Sequence, residues 1–268
     1  MYEKNGIKHL DGYMWKGPVL LRYFGVFPFN DVPEAINIGA RVSGITEIGE
    51  GAFYHAYIEG ARLPDTLKII GKRAFKNCPN LQRLVIPEGV TEIRDSAFEN
   101  CKKLKEVRLP STLKSIGDFA FAGCESLQKL ELPEALETVG EFAFAESGLK
   151  EIVFGDKVRE IGRGACYRCR DLERAVLPPA KIMPAELFYD CLDLKYCTVP
   201  EGIEYLGQHM FHGCAILTAA GSIVLPASIQ EIDSAFDDND VDTFTIYAPE
   251  HSYAHGYAQR ICAIALTS

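Results

Sequence analysis

No apolar run in this 268-residue chain reaches the ~18 residues of a membrane span. The opening Met1–Gly6 leads into no signal-peptide core, and the short run Pro18–Leu21 is broken by Arg22. Basic residues are in deficit, 28 Lys and Arg against 37 Asp and Glu, and the net charge of −9 argues against a nucleic-acid or anionic-membrane partner. Catalytic motifs are missing as well. Gly49-Glu50-Gly51 and Gly162-Arg163-Gly164 have no phosphate-loop continuation, and neither a nucleophile elbow nor a paired-carboxylate pattern stands out from the surface charge. The loop Asp237–Asp242 offers Asp238, Asn239, Asp240 and Asp242 without the glycine and glutamate of a calcium loop, which reads as a solvated loop.

What the chain does contain is a repeat. A Leu/Ile-Pro step, then Ile-Gly, then Ala-Phe, then Cys and Leu recurs every 22 to 25 residues. Its phenylalanine falls at Phe53, Phe75, Phe98, Phe121, Phe144, Phe188, Phe211 and Phe236, with Cys166 in the slot once, which makes nine copies. Such an array buries each unit only against its neighbours, so one continuous solenoid is expected where the length alone would allow two domains.

The same register accounts for most of the nine cysteines. Cys78, Cys101, Cys124, Cys169, Cys191 and Cys214 all lie three residues after the phenylalanine position. Ala56, Ser147 and Asn239 occupy that slot elsewhere, so it takes a small residue, and free cysteine packs as one. Side chains on successive rungs run parallel, which is the wrong geometry for a disulfide, and these thiols are expected to be reduced. Cys166 and Cys169 have the spacing of a redox pair or half a zinc site, but both fall on packing slots, and no second pair stands at zinc spacing.

Leu104 to Leu127 shows how one copy works. Val107 and Leu109 alternate with Glu106 and Arg108, the period-two pattern of a strand with one buried face. Pro110 ends that strand, Leu113 and Ile116 restore apolar contact, and Gly117 permits a tight bend. A short helical or 3-10 turn should then bring Phe121, Cys124 and Leu127 inward. Rungs about 4.8 Å apart would build a rod on the order of 40 Å long.

These residues resemble the BspA-like leucine-rich repeat. The string Leu-x-x-Ile/Val-x-Leu-Pro, Leu-x-x-Ile-Gly, Ala-Phe-x-x-Cys-x-x-Leu is met at every slot between Leu104 and Leu127, and the pattern runs from about Ile36 to Ile246. Tyr247–Ala258 is similar to the closing helix of such arrays, with His251 where a glycine is usual. The resemblance implies a non-enzymatic interaction module, often on the surface of bacteria or protozoa, with no catalytic residue and no cofactor. The fold class implied is an α/β repeat solenoid. Its parts would be an N-terminal cap over residues 1–40, the array over 41–247 and a capping helix over 248–268. Trp15, Leu20, Leu21, Tyr23, Phe24 and Phe27 would supply the first cap, and Tyr253, Tyr257 and Ile261 one face of the last.

Departures from the repeat gather in the second half: Phe154-Gly155 for Leu-Pro, Met183-Pro184 for Ile-Gly, and a longer stretch from Cys214 to Leu225. His251 and His255, four apart on the closing segment, lack the glutamate of a His-Glu-x-x-His metal site, and His209 and His212 read as surface residues of their turn. The outward strand slot reads Arg83, Glu106, Lys129, Glu151, Arg174 and Tyr196, a ladder of alternating sign until its last rung. Its neighbour reads Val85, Arg108, Glu131, Val153, Val176 and Thr198. Val153, Arg174, Val176 and Tyr196 therefore form the candidate contact patch, of the residue types enriched at binding hot spots.

The leading expectation is a monomeric scaffold that binds a protein, or as second choice a glycan, with no membrane insertion. Two alternatives stand beside it: a thiol or metal enzyme centred on Cys166 and Cys169, and a spacer within a larger surface protein. Resemblance favours a surface or secreted location, whereas nine cysteines fit a reducing interior.

Overall fold

The computed structural model describes residues 2–4, 7–10, 13–23, 36–38, 42–214, 222–236, 244–261 and 264–266. The chain is a parallel-strand solenoid whose coils have three sides. The first side is a three-residue strand such as Glu106–Arg108, with Val107 buried and both neighbours exposed, as the alternation requires. Parallel pairing puts Glu106 beside Arg83 and Arg108 beside Val85, an offset of one repeat. These strands form three groups, ending at Glu106–Arg108, spanning Glu151–Thr198, and running from Ser222–Val224 to Ile264–Leu266. The coil at Gln128–Leu130 contributes no strand to the first two.

The second side carries a two-residue strand that the repeat pattern did not lead us to expect. Ile69–Ile70, Glu92–Ile93, Ser115–Ile116 and Thr138–Val139 pair in parallel, in register at the buried Ile or Val. The N-terminal strands Tyr2–Lys4, Ile7–Leu10, Tyr13–Lys16 and Val19–Tyr23 form an antiparallel meander that joins this sheet, Val19–Leu20 pairing with Glu47–Ile48. Tyr13, Trp15 and Leu20 are buried there, and the Tyr23 ring sits 5.3 Å from Phe53. Phe24 and Phe27 lie outside the described residues.

The third side corrects the expected helical turn. From residue 42 to 214 no residue is helical; consecutive β-turns take its place. Alternate amides close i→i−3 bonds, as in Ala74 to Gly71 and Lys76 to Arg73, while Arg73, Phe75 and Asn77 donate to Asp95, Ala97 and Glu99 of the next coil. The inter-coil bonds require residues such as Arg73, Asn77, Ser96 and Asn100 to stand at positive φ. Each such residue costs roughly 1–2 kcal/mol, offset by a bond that satisfies two buried backbone groups. The one helix bounded among the described residues is Tyr253–Arg260, so the α/β expectation reduces to a β-solenoid with one short terminal helix.

Stacked rings run through the core. Phe53 and Phe75 lie 4.8 Å apart and 1° from parallel, and Phe75–Phe98 and Phe98–Phe121 follow at 5.3 and 5.1 Å. Every phenylalanine of the repeat slot is fully buried. At the C-terminal end Ala254, Tyr257 and Ala258 face inward. Tyr253, expected among them, is 39% exposed, because the helix turns that position toward solvent beside the Arg260 guanidinium.

Candidate functional site

The strands Glu151–Val153, Arg174–Val176 and Tyr196–Thr198 stand side by side. Register places Arg174 between Glu151 and Tyr196, and Val176 between Val153 and Thr198. The four candidate residues thus share one outward face, because residues i and i+2 of a strand point the same way. Tyr196 is 68% exposed and Val153 46%, while Val176 is half-buried. Val224, in the same slot on Ser222–Val224, is 56% exposed; the repeat register, followed only as far as Thr198, left it out.

The charge ladder is arranged differently from expectation. Arg108 pairs with Glu106 on its own strand at 3.1 Å, and Lys129 with Glu131 at 2.7 Å. Only Arg174 crosses to a neighbouring strand in this slot, its Nε 3.2 Å from Glu151 Oε1. An acid two residues along lies on the same face and within reach, so the earlier rungs close pairs within a coil. Arg174 has no acid two positions away and takes the one beside it.

A second feature of the same sheet escaped the pattern. Gly60 and Ala61 stand where other coils hold Arg83 and Leu84, or Glu106 and Val107. The missing side chains leave a hollow of about 720 Å³ over Gly60–Arg62 and Arg83–Val85. Arg62 and Arg83 border it, and Arg62 also borders an adjoining hollow of about 480 Å³ that reaches Asn37, Ser43 and Thr66. A glycine in a slot that holds Arg83, Glu106, Lys129, Glu151 and Arg174 in the following coils was the available signal.

Cys166 and Cys169 are fully buried. The Cys169 thiol donates to the Phe144 carbonyl at 3.0 Å, and the Cys166 carbonyl accepts the Cys191 thiol at 3.1 Å. Burial, with the Cys169 thiol next to it, pushes the Cys166 thiol well above its ordinary range. Among the described residues no three His, Cys, Asp or Glu side chains are grouped to hold a metal ion, and no helix is long and apolar enough to cross a membrane.

His251 does not share a helix face with His255. It precedes the N-cap Ser252 at a φ of 65°, while His255 Nε2 meets Gln259 Nε2 at 3.1 Å. His209 and His212 are half-buried and not fully at the surface, since the His212 ring stacks on Tyr189 at 4.3 Å. That contact ends a row of rings on the turn side, Phe119, Phe142, Tyr167, Tyr189 and His212, one from each of five coils. The Asp237–Asp242 loop lies outside the described residues.

Comparison with known proteins agrees with this architecture. A leucine-rich repeat protein from Bacteroides ovatus ATCC 8483 is 23% identical, with a TM-score of 0.60 over 100% of this chain and 67% of that one. The T. pallidum leucine-rich repeat protein is 26% identical at a TM-score of 0.54, covering 73% of this chain and 80% of that one. The pneumococcal vaccine antigen PcpA shares the fold at 15% identity and a TM-score of 0.52, over 99% and 100% of the two chains. Among curated proteins none matches. The model of the BspA type leucine-rich repeat region fits residues 46–173 and 181–259 in six copies, and the chain belongs to that family.

Proposed function

We propose that this chain is a non-catalytic protein-binding scaffold whose first-sheet face, at Val153, Arg174, Val176 and Tyr196, makes the contact. The observation that carries the reading is Tyr196, an aromatic ring 68% exposed on a strand that cannot move independently of its neighbours, with the Arg174 guanidinium in the adjacent register position. Aromatic rings lose little entropy on binding, and aromatic and arginine side chains dominate interface energetics. Membership of a family whose repeats serve as interaction modules supports a protein partner and a place on or outside the cell. The repeat-slot thiols have zero exposure, and inert buried thiols such as these survive in an oxidising medium. A thiol or metal enzyme at Cys166 and Cys169 would require the core to open before any substrate could reach either sulfur.

The test is a pull-down with the whole chain as bait, against host extracellular proteins and against lysate of the source cell. The Tyr196→Ala/Arg174→Ala double variant should lose a partner that the wild-type chain and the Lys129→Ala variant keep, all three with native melting curves. Equal capture by all three would move the contact off this face.

A further inference from the structure

We propose that the hollow over Gly60 is a second binding site on the first sheet, one that takes a single carboxylate of an extended protein segment between Arg62 and Arg83. The inference rests on reading this sheet as a protein-binding face, and it names a chemistry for a partner.

Register sets the geometry. Gly60 lies beside Arg83 and Arg62 beside Val85, so the two arginines occupy opposite corners of a four-residue patch whose Gly60 corner is empty. Arg83 therefore has no outward side chain beside it on the preceding coil, and both arginines line the space this leaves. Its floor is the backbone of the two strands, with Pro87 and Val85 at the rim, Val85 60% exposed.

The two arginines are unpaired among the described residues and border one hollow. Arg73, Arg94, Arg108, Arg163, Arg168 and Arg174 each hold an acidic side chain in an ion pair. Among the described residues the Arg62 and Arg83 side chains hold none, although Glu59 and Asp65 line the same hollow. Two free planar forks facing one cavity suit a carboxylate, which each can bind in bidentate fashion. The volume of about 720 Å³ is in the range of small-ligand sites, and the apolar rim of Val85 and Pro87 fits an aliphatic side chain next to the acid. Glu59, Asp65 and the chain's net charge of −9 repel a polyanion, so an isolated acid among apolar residues is favoured over a sulfated glycan.

Titration of the whole chain with an N-acetylated, C-amidated hexapeptide carrying one Glu among Val and Ser residues, and with its Gln counterpart, tests this. Binding is read from the arginine Nε–H signals of protein labelled with ¹⁵N-arginine. The Glu peptide should shift the Arg62 and Arg83 signals, and the Gln peptide should bind at least about tenfold more weakly. Arg62→Ala/Arg83→Ala should lower Glu-peptide affinity by a similar factor, and Arg62→Lys/Arg83→Lys should recover it only in part. Arg159→Ala, an exposed arginine on another side of the coil, should leave it unchanged.

Several results would overturn the site: no binding of the Glu peptide, equal affinity for the Gln peptide, or equal losses in the Arg159 variant. Tighter binding of a heparin hexasaccharide than of the peptide, dependent on both arginines, would replace the acidic segment with a sulfated glycan. None of these outcomes touches the Tyr196 patch, which the pull-down reads separately.

Discussion

The thiol of Cys124 donates to the backbone carbonyl of Phe98, one coil earlier, at 3.3 Å. That carbonyl already accepts the Cys101 amide at 3.1 Å, so the thiol uses its second lone pair. The same bond joins Cys78 to Phe53, Cys101 to Phe75, Cys169 to Phe144, Cys191 to Cys166 and Cys214 to Phe188, all within 3.0–3.1 Å. The slot selects cysteine because it wants a small apolar group that can still donate a weak hydrogen bond.

Alkaline pH should unfold the protein by ionising Cys197, the inward thiol of the Tyr196–Thr198 strand, together with those core thiols that burial raises. Burial pushes Cys197 up to about 12 from an ordinary thiol value of 9.0, and raises Cys124, Cys166 and Cys191 in the same direction. A raised folded-state value means that the stabilisation is complete below the unfolded thiol's pKa and is lost as pH climbs from about 9 to about 12. Melting temperature should be flat from pH 6 to 8 and fall steeply above 9. Replacing Cys197 with Ala should flatten that fall in part, and an unchanged slope would show that ionisation of Cys197 does not contribute to it.

Phe121→Ala should remove about 3–5 kcal/mol of stability, because it leaves a ring-sized cavity in a stack whose members contact both neighbours. Urea unfolding measures the loss. A cost under about 1 kcal/mol would mean that the stack collapses around the gap.

Gly164 stands at a φ of 60°, and a Cβ there would come within 2.4 Å of the Phe142 ring. Gly164→Ala should therefore cost about 1–3 kcal/mol, from left-handed backbone strain and from displacement of the ring. At Gly155, where φ is not positive, an added Cβ would meet nothing within 4 Å, so Gly155→Ala is the control and should be near neutral in the same thermal melts.

We expect residues 1–23 to act as a cap. Deleting them would bare the Glu47–Ile48 strand edge and the face of Phe53 on which the Tyr23 ring lies. Light scattering should show association, and the melting temperature should drop. A soluble monomer with an unchanged melting curve would make the meander dispensable.

The repeat itself was legible in the order of residues. A phenylalanine every 22 to 25 positions, with Cys three further on, is a constraint on every coil at once, and only stacking in register satisfies it. The first-side strands followed from alternation at Glu106–Arg108, and the parallel, unpaired thiols from the shared slot. The same register aligned Val153, Arg174, Val176 and Tyr196 by position alone, and their strands are neighbours in the fold.

Other features depended on the third dimension. A strand of two residues such as Ser115–Ile116 is too short to show a period, so only its pairing with Glu92–Ile93 reveals it. The turn ladder depends on positive φ at residues as unlike as Arg73, Phe119 and Glu186, which no local preference announces; the neighbouring coil's carbonyls decide it. The partner of Arg174 was settled by side-chain reach, since Glu151 one coil away is as close as an acid two residues along would have been. The hollow over Gly60 needed the structure most. A glycine in a sequence says only that a side chain is missing, and it takes the packed coils on either side to turn that absence into a space bordered by two arginines.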